Sequence, residues 1–404
     1  MEPYPCLTQD YPGIGGRFKV EPEDFIVEEI PLYHPSGTGQ HTYAWVEKRG
    51  LTTYQLIAGL ARALGVSPEA IGYAGLKDAR AVTRQLISID GLEPARLEGL
   101  SLPGVRVLWT ARHRNKLKLG HLAGNRFIIR VRGVERSALP LAEAVLDELR
   151  RRGVPNYYGE QRFGGRANTH RLGLALLRGD GAGFVREYLG CPQSDERPEV
   201  QAARAAVDAG DFAAALAAWP RALREEYALL SALVRRGGDL GQVVSLLDKK
   251  LRRLFATAYQ SHLFNQLLAG RIQSLDRLEP GDVAYIHASG AAFVVQDAAA
   301  EQARADRFEI SPAGPLFGPK LLLAQGQPGQ REQDILAQSG LSLDDFRLPG
   351  VRLDGARRPY RVPLSEVGVD WQEGLVLRFQ LPAGSYATQV LREVMKHDRT
   401  PVLH

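Results

Sequence analysis

One stretch of the sequence gathers an unusual set of reactive side chains: Gly72-Tyr-Ala-Gly-Leu-Lys77-Asp78-Ala-Arg80-Ala-Val-Thr83-Arg84-Gln85. Two glycines precede Asp78, and the nearby cations Lys77 and Arg80 favour an ionised carboxylate. On a glycine-rich turn, such an aspartate can act as a nucleophile, a general base or a metal ligand. A lone Lys-Asp pair is more often a solvated surface ion pair. The longer pattern, Gly-x-Lys-Asp-x-x-Ala-x-Thr-x-Gln, therefore has to decide between these alternatives.

The composition is that of an ordinary globular protein of 404 residues, of which 44% are hydrophobic and 24% are charged. The length predicts two or three domains. No apolar run approaches the roughly 18 residues of a membrane span, and the N-terminal sequence lacks the features of a signal peptide. Cys6 and Cys191 are too far apart to suggest a disulfide framework or a zinc motif. We therefore expect a cytoplasmic protein that does not associate with membranes.

The formal net charge is only +5, but positive charge is concentrated in one segment. No Asp or Glu occurs from Gly99 to Val134. The cations of this acid-free segment are Arg106, Arg112, Arg114, Lys116, Lys118, Arg126, Arg130 and Arg132. Such a segment produces a positive field that attracts a polyanion such as nucleic acid. The alternative is an exposed face that acids from elsewhere in the fold balance.

The first part of the chain predicts mixed α/β structure. Arg17–Val20 and Phe25–Ile30 look like short strands separated by a turn. The apolar spacing of residues 53–64 predicts a helix, with a threonine to cap its start and Gly65 to cap its end.

The middle and the tail of the chain differ in pattern. Residues 200–270 are rich in Ala and Leu and predict several helices. In the tail, apolar residues alternate from Leu375 to Leu381, as in a strand with one buried face, and a helix starts near Ser385. The pattern therefore predicts an α/β core built from both ends of the chain, with a partly helical domain inserted in the middle.

The Asp78 stretch resembles the signature of the TruD family of tRNA pseudouridine synthases. Four further segments strengthen this resemblance, in the order in which the family has them. They are Lys19-Val-Glu-Pro-Glu-Asp-Phe25-Ile-Val-Glu-Glu29, Arg112-His-Arg-Asn-Lys-Leu-Lys-Leu-Gly120 with Gly124-Asn125-Arg-Phe127, Pro155-Asn156-Tyr-Tyr-Gly-Glu-Gln161-Arg162-Phe163-Gly164, and Leu381-Pro-Ala-Gly-Ser-Tyr386-Ala-Thr with Arg392-Glu393.

The resemblance implies a fold and a division of the chain. The fold class is α/β (α+β), with a pseudouridine synthase core whose sheet is mainly antiparallel and an inserted, partly helical TRUD domain. Residues 1–152 and 362–404 form the catalytic core, and residues 153–361 form the inserted domain.

The resemblance also implies the reaction, in which a uridine of tRNA, at position thirteen, is isomerised to pseudouridine. This reaction detaches uracil from its ribose and reattaches it through C5, so no cofactor is required. No group of His, Cys, Asp and Glu has the spacing of metal ligands, and we expect no metal site. The implied partner is tRNA, and nothing in the sequence points to a protein partner, so we expect a monomer.

The family places its nucleophile at the position of Asp78 and a lysine at the position of Lys19. We interpret Lys19 as the cation that keeps Asp78 charged. Attack on ribose C1′, attack on uracil C6 and elimination through a glycal all remain open. Neighbouring side chains of an extended segment point to opposite sides, so Lys77 is expected to face away from Asp78 and to contact a phosphate.

The resemblance places further residues around the uracil. Phe25 stacks on the base or, alternatively, belongs to the core with Val27. Asn125 presents its amide to the uracil edge or is a turn residue in the left-handed region. Phe127 lines the pocket or fills the core. Tyr386, where the family often has Phe, is expected to stack at a strand-to-helix junction.

A set of cations is expected to contact the RNA backbone: Lys77, Arg80, Arg112, Arg114, Lys116 and Arg162. Arg162 stands among aromatic and amide side chains, a mixture that grips RNA by stacking and phosphate contact. The same mixture can instead hold the inserted domain on the core.

Two other classes of function are alternatives to an isomerase. A non-catalytic RNA-binding or RNA-folding protein on the same fold predicts a damaged Asp78 motif, and the motif is intact. A phosphoryl-transfer enzyme predicts a phosphate-binding glycine loop or clustered acids, and the sequence has neither.

Overall fold

A computed structural model describes residues 4–396 of the chain. These residues form two compact units. The core unit comprises Pro5–Asn156 and the chain from Val362 onward, and the middle unit comprises Tyr157–Arg361 together with Tyr4. The outer ends of the two ranges predicted for the core, residues 1–3 and 397–404, lie outside the described residues.

The described residues alternate between strands and helices in the first part of the chain and are mostly helical in the middle. The strands are β1 (Phe25–Pro31), β2 (His41–Arg49), β3 (Ile71–Tyr73), β4 (Val82–Asp90), β5 (Val105–His113), β6 (Leu122–Val131), β7 (Val154–Pro155), β8 (Val283–Ile286), β9 (Ala292–Val294), β10 (Ile310–Leu316), β11 (Ala356–Pro359), β12 (Arg361–Val362), β13 (Ser365–Trp371) and β14 (Leu375–Pro382). The α-helices are α1 (Thr53–Leu64), α2 (Ala95–Glu98), α3 (Leu139–Arg152), α4 (Thr169–Leu177), α5 (Gly181–Leu189), α6 (Pro198–Asp208), α7 (Phe212–Ala218), α8 (Arg224–Arg235), α9 (Val243–Leu246), α10 (Lys249–Arg271), α11 (Ala298–Asp306), α12 (Gly326–Gln338) and α13 (Ala387–Met395).

The core unit is organised by an eight-stranded sheet with the order β13-β14-β6-β1-β4-β2-β5, in which β3 pairs with β4. The pairing of β1 with β4 is parallel, and the other pairings of this sheet are antiparallel. A parallel pair needs a long crossover connection, and β2 and α1 lie within it here. The predicted mixed α/β fold with a mainly antiparallel sheet is confirmed, and both ends of the chain supply strands to the sheet.

Helix α1 has the bounds that its apolar spacing predicts. Thr52 caps its start, because the Thr52 hydroxyl accepts from the Gln55 N–H and the Gln55 side chain accepts from the Thr52 N–H. Gly65 ends it in the left-handed conformation at φ 66°. The buried side of the helix packs on Val46 and Ile87 of the sheet. The helix therefore covers one face of the core sheet, which we call the α1 face.

Opposite charges alternate across the other face of this sheet. The row crosses strands β5, β2, β4, β1, β6 and β13 and consists of Arg106, Glu47, Arg84, Glu28, Arg126 and Glu366, which we call the charge ladder. The strand register places Arg84 opposite both Glu47 and Glu28, and Glu28 opposite Arg126. Side chains of a strand alternate between faces, so residues next to the ladder members, such as Gln85 and Glu29, point to the α1 face.

The middle unit is mainly helical, as the Ala- and Leu-rich sequence predicts. Its longest helix, α10, packs along α4. A four-stranded antiparallel sheet of order β11-β10-β8-β9 completes the unit. The buried Arg271 guanidinium lies 3.1 Å from Asp282 and fixes the end of α10 to the segment before β8. None of the helices within residues 4–396 combines the length and the apolar character that crossing a membrane requires.

Candidate active site

Lys19 and Asp78 form an ion pair with 2.6 Å between Nζ and Oδ2. Lys19 reaches this position through a left-handed backbone, at φ 56°. This conformation is uncommon for a residue with a side chain, and a strained residue of this kind costs about 1–3 kcal/mol. The prediction of a strand at Arg17–Val20 is therefore wrong, and Arg17 makes only an isolated bridge to Arg132. The geometry agrees with the role predicted for Lys19, which stays a prediction.

The loop that carries Asp78 is fastened to the connection between β2 and α1. The Lys77 N–H donates to Thr53 Oγ1 at 2.9 Å. The Lys48 ammonium donates to the carbonyl oxygens of Asp78, at 2.9 Å, and of Leu51. These bonds fix the main chain, while the Asp78 side chain stays 48% exposed. The Asp78 carboxylate is therefore open to solvent, while hydrogen bonds to Thr53 and Lys48 hold the main chain of its loop.

The side chain of Lys77 is buried, which corrects its predicted phosphate contact. Its Nζ lies 2.8 Å from Glu29 Oε2, and the two side chains are only 5% and 0% exposed. Glu29 Oε1 also accepts from the Leu86 N–H at 3.2 Å. Because a phosphate cannot reach an ammonium enclosed in this way, Lys77 is a structural cation of the site.

The sequence motifs do not by themselves indicate a role for Glu29 or Lys48. Both stand at inward positions of their strands, Glu29 after Phe25 and Val27, and Lys48 after Ala44 and Val46. A charged residue at an inward position is rare unless it is paired. An acid and a lysine at inward strand positions therefore predict buried, paired charges, and this pattern is the feature of the sequence that points to both residues.

Phe25 and Phe127 are buried, which favours the alternative that both belong to the core over stacking on the uracil by Phe25 and lining of the pocket by Phe127. Their exposed fractions are 3% and 6%. The two ring centroids are 6.2 Å apart, and Phe127 packs in turn on Phe379 at 5.4 Å. The Phe25 ring also contacts the Lys19 ammonium, whose Nζ lies 4.1 Å from the ring centroid.

Asn125 lies inside strand β6, so the alternative of a left-handed turn residue is wrong. It is paired with Glu29 of β1 on one side and Leu381 of β14 on the other. The preceding Gly124 permits this close pairing, since a Cβ there would lie 2.4 Å from the Leu381 carbonyl oxygen. The Asn125 Oδ1 atom is buried and has no hydrogen-bond partner among residues 4–396. A buried acceptor without a donor is uncommon in a folded protein, and its role in contacting the uracil stays a prediction.

Tyr386 lies at the predicted strand-to-helix junction. It is the residue that precedes the first turn of α13, and its side chain is 38% exposed. The turn that leads to it is joined to the start of β6 by a hydrogen bond of 3.1 Å from the Ala383 N–H to the Ala123 carbonyl. The ring is therefore exposed, and the turn before it is joined to the chain two residues before Asn125.

Four of the predicted site residues, Asn125, Lys77, Asp78 and Lys19, are linked through Glu29, which was not predicted. Asn125 neighbours Glu29, Glu29 binds Lys77, and Lys77 precedes Asp78, which binds Lys19. Among the side chains of residues 4–396, no group of three His, Cys, Asp or Glu is arranged to hold a metal ion. These contacts place the Asp78 carboxylate and the Asn125 amide close to one buried ion pair, that of Lys77 with Glu29.

Most of the acid-free segment is balanced by acids from other strands and loops, so the alternative to the polyanion interpretation holds for much of it. Five of its cations are paired in this way: Arg106 with Glu47, Arg112 with Glu93, Arg126 with Glu28 and Glu366, Arg130 with Asp24, and Arg132 with Glu21 and Asp24. The RNA contact predicted for Arg112 therefore competes with its 2.6 Å ion pair to Glu93.

The remaining cations of the segment are Arg114, Lys116 and Lys118. No carboxylate within residues 4–396 lies in ion-pair distance of them, although the Lys116 ammonium donates to the Glu69 carbonyl. Arg114 and Lys118 are exposed, and so is Arg80, two residues after Asp78. These side chains are placed to meet a polyanion, and their contact with RNA stays a prediction.

Arg162 is anchored inside the middle unit. Its Nε donates to Ser261 Oγ of α10 at 3.1 Å, and its guanidinium lies 5.9 Å from the centroid of the Tyr158 ring. Part of its hydrogen-bonding capacity therefore fixes the segment around Phe163 to α10. A role in RNA contact stays a prediction.

Comparison with known proteins gives one consistent result. The family model described as tRNA pseudouridine synthase D (TruD) matches residues 4–394. The chain is 49% identical over 393 residues to tRNA pseudouridine synthase D of Geobacter sulfurreducens, with 96% of each chain covered. It is 42% identical over 403 residues to the protein of that name from Thermus thermophilus, covering 98% of this chain and 93% of the relative. A crystal structure of the putative tRNA pseudouridine synthase D from Methanosarcina mazei superimposes with a TM-score of 0.85 at 33% identity, covering 97% of this chain and 96% of the other. The matched range includes every residue of the site.

Proposed function

The chain belongs to the TruD family of tRNA pseudouridine synthases, and from this premise we propose that it isomerises a uridine of tRNA to pseudouridine with Asp78 as the nucleophile. The observation that carries the proposal is the 2.6 Å ion pair between Lys19 and the half-exposed Asp78. A carboxylate must be ionised to attack, and an ammonium in contact favours the charged form. Lys19 engages Oδ2, which leaves the other carboxylate oxygen for the reaction.

The reaction conserves all atoms of the uridine. The bond between ribose C1′ and uracil N1 breaks, a bond between C1′ and C5 forms, and the proton lost from C5 is balanced by one gained at N1. The Asp78 carboxylate either adds to C1′, adds to C6, or removes a ribose proton to give a glycal. In each route it must be charged and reachable, and its place on a firmly held loop supports both requirements.

We assign recognition of the uracil to Asn125. Uracil presents an N3–H donor flanked by two carbonyl acceptors. The buried Asn125 Oδ1 can accept from that N–H, and the amide group of the same side chain can donate to a neighbouring carbonyl. A base that has left its stack needs such contacts to recover the few kcal/mol of unstacking.

We assign stacking on the uracil to Tyr386. With Phe25 and Phe127 enclosed in the core, Tyr386 is the one of the three predicted aromatic residues whose ring is open to a ligand. A stacked base is worth about 1–3 kcal/mol. The phenol hydroxyl adds a polar group at a position where the family often has Phe.

The two units receive the roles that the sequence suggests. The core unit corresponds to the pseudouridine synthase core predicted for residues 1–152 and 362–404, and the middle unit to the TRUD domain predicted for residues 153–361. We propose tRNA as the partner and uridine 13 as its target. A monomer acting in the cytoplasm fits this assignment.

The test is isomerisation of an unmodified tRNA transcript by the purified protein, with pseudouridine mapped at nucleotide resolution. We expect one pseudouridine at position 13, and none in a transcript that carries cytidine there. Formation at another position would overturn the choice of target. No pseudouridine in any unmodified tRNA would overturn the function.

A further inference from the structure

Lys48 is a buried lysine that has no part in the mechanism described so far. It is the eighth residue of β2 and points to the α1 face, where it is 0% exposed. No carboxylate within residues 4–396 lies in ion-pair distance of its ammonium. Burying a charge without a counter-ion is costly. A side chain that only had to fill this space would be apolar, so the charge at this position requires another explanation.

The partners of the ammonium are three backbone carbonyl groups. Lys48 Nζ donates to the carbonyl oxygens of Asp78 at 2.9 Å, Lys77 at 3.5 Å and Leu51. Two of these carbonyls belong to the peptide bonds immediately before and after Asp78. The third belongs to the connection between β2 and α1. All three N–H bonds of one ammonium are therefore used to tie the Asp78 loop to a rigid part of the core unit.

We propose that Lys48 is a positioning residue, whose protonated side chain holds the backbone of Lys77 and Asp78 so that the Asp78 carboxylate is aimed at the uridine. The inference rests on the proposed function, since it assumes that Asp78 carries the reaction. Catalytic groups must be held within fractions of an ångström, and the loop contains no helix or strand that could do this. The ammonium takes the place of regular secondary structure.

The proton of Lys48 is held only weakly. Burial is the main cause that lowers the pKa of Lys48 from its ordinary value of 10.5 to about 8, with Lys77 acting in the same direction and Asp78 opposing it. The charged groups around it are Asp78 with its partner Lys19, and Lys77 with its partner Glu29. A neutral amine has one N–H fewer, so it cannot serve three carbonyls at once. The hold on the loop is therefore expected to loosen above pH 8.

Activity and stability are expected to move in opposite directions in this range. The folded pKa lies below that of the unfolded chain, so between about pH 8 and 10 the unfolded chain binds more protons at this residue. The contribution of Lys48 to the free energy of unfolding consequently rises with pH in that window. Its contribution to turnover falls there. A purely structural role would make the two change together.

The experiment compares the wild type with Lys48→Met, measuring kcat and KM for tRNA from pH 6 to pH 9.5. At pH 7 we expect kcat to fall about ten- to a hundredfold, the size expected for losing hydrogen bonds from a charged donor, with little change in KM. The ratio of the wild-type kcat to the Lys48→Met kcat should decrease as the pH rises through 8, because the wild-type lysine loses its proton there. Titration of the uridine itself cancels in this ratio.

The matched control is Arg49→Met, on the next residue of β2. Arg49 forms an exposed ion pair with Glu23, so its loss should change kcat by less than about twofold. If Lys48→Met does not fold, Lys48→Gln provides a neutral amide for the same comparison. A kcat ratio that is large but independent of pH, or one close to 1 throughout, overturns the inference. A wild type that forms no pseudouridine overturns the proposed function instead.

Discussion

The ammonium of Lys77 and the carboxylate of Glu29 meet at 2.8 Å in the interior of the core unit, one residue before the proposed nucleophile. The backbone N–H of Lys77 is bound as well, to Thr53. Lys77 thus fixes the Asp78 loop through its side chain and its main chain. It links strand β1 and helix α1 to the loop that carries the proposed nucleophile.

Replacing Lys77 by Met should destabilise the fold strongly, because Glu29 would remain buried without its counter-ion. We expect the free energy of unfolding to fall by about 3–5 kcal/mol, measured by urea denaturation at pH 7. Arg49→Met, which breaks an exposed pair, should cost about 0–1 kcal/mol. The double variant Lys77→Met with Glu29→Leu should recover much of the loss. A cost for Lys77→Met as small as that of Arg49→Met would show that the pair is solvated.

Replacing Asp78 by Asn should abolish isomerisation while tRNA binding stays within a few-fold, because Asn keeps the shape and removes the charge. Single-turnover assays and filter binding measure the two quantities separately. Lys19→Met should depress kcat strongly, since Asp78 would lose the cation in contact with it. Turnover of Asp78→Asn near that of the wild type would end its assignment as the nucleophile.

Neutralising Arg114 and Lys118 should weaken tRNA binding and flatten its dependence on salt. Each lost phosphate contact should lower the slope of log K against log salt concentration by about 1. Arg106→Met is the control, because Arg106 is engaged with Glu47 in the charge ladder. Equal slopes of log K against log salt concentration for the wild type and the Arg114→Met/Lys118→Met variant would mean that the connection between β5 and β6 does not contact the RNA.

Tyr386→Phe should retain most activity, whereas Tyr386→Ala should lose about tenfold or more. The ring supplies the stack, worth about 1–3 kcal/mol, and Phe preserves it. Steady-state kinetics on the same tRNA transcript measure both variants. An alanine variant as active as the phenylalanine variant would remove Tyr386 from the site.

Local patterns were enough to predict several elements of the fold. The apolar spacing and the caps of α1 gave its bounds, because they act within a few residues of each other. The alternation from Leu375 to Leu381 correctly predicted β14. The residues of the Lys19–Asp78 pair lie 59 positions apart, so only the family resemblance could suggest their contact.

Long-range features were not predictable from the sequence. The acid-free segment resembles a continuous cationic surface, but the strand register brings Glu47 and Glu28 to its arginines, and the turn before β1 brings Asp24. The sequence pattern around Phe25 and Phe127 is compatible with a core position and with a pocket position, and only the burial seen in the structure distinguishes these alternatives. The left-handed backbone of Lys19 has no signature in its side chain, since glycine is the usual residue for that conformation.

The charge ladder bears on how the strands find their alignment during folding. Shifting β1 by two residues along β6 would keep every apolar side chain on its proper face, so hydrophobic alternation does not prevent such a shift. The shift would, however, move Glu28 from Arg126 to Gly124 or Ile128. Glu28 and Arg126 would then lose their contact with each other, and Arg84 would face a row of charges that no longer matches. The ladder therefore distinguishes between alignments that the hydrophobic pattern treats as equivalent.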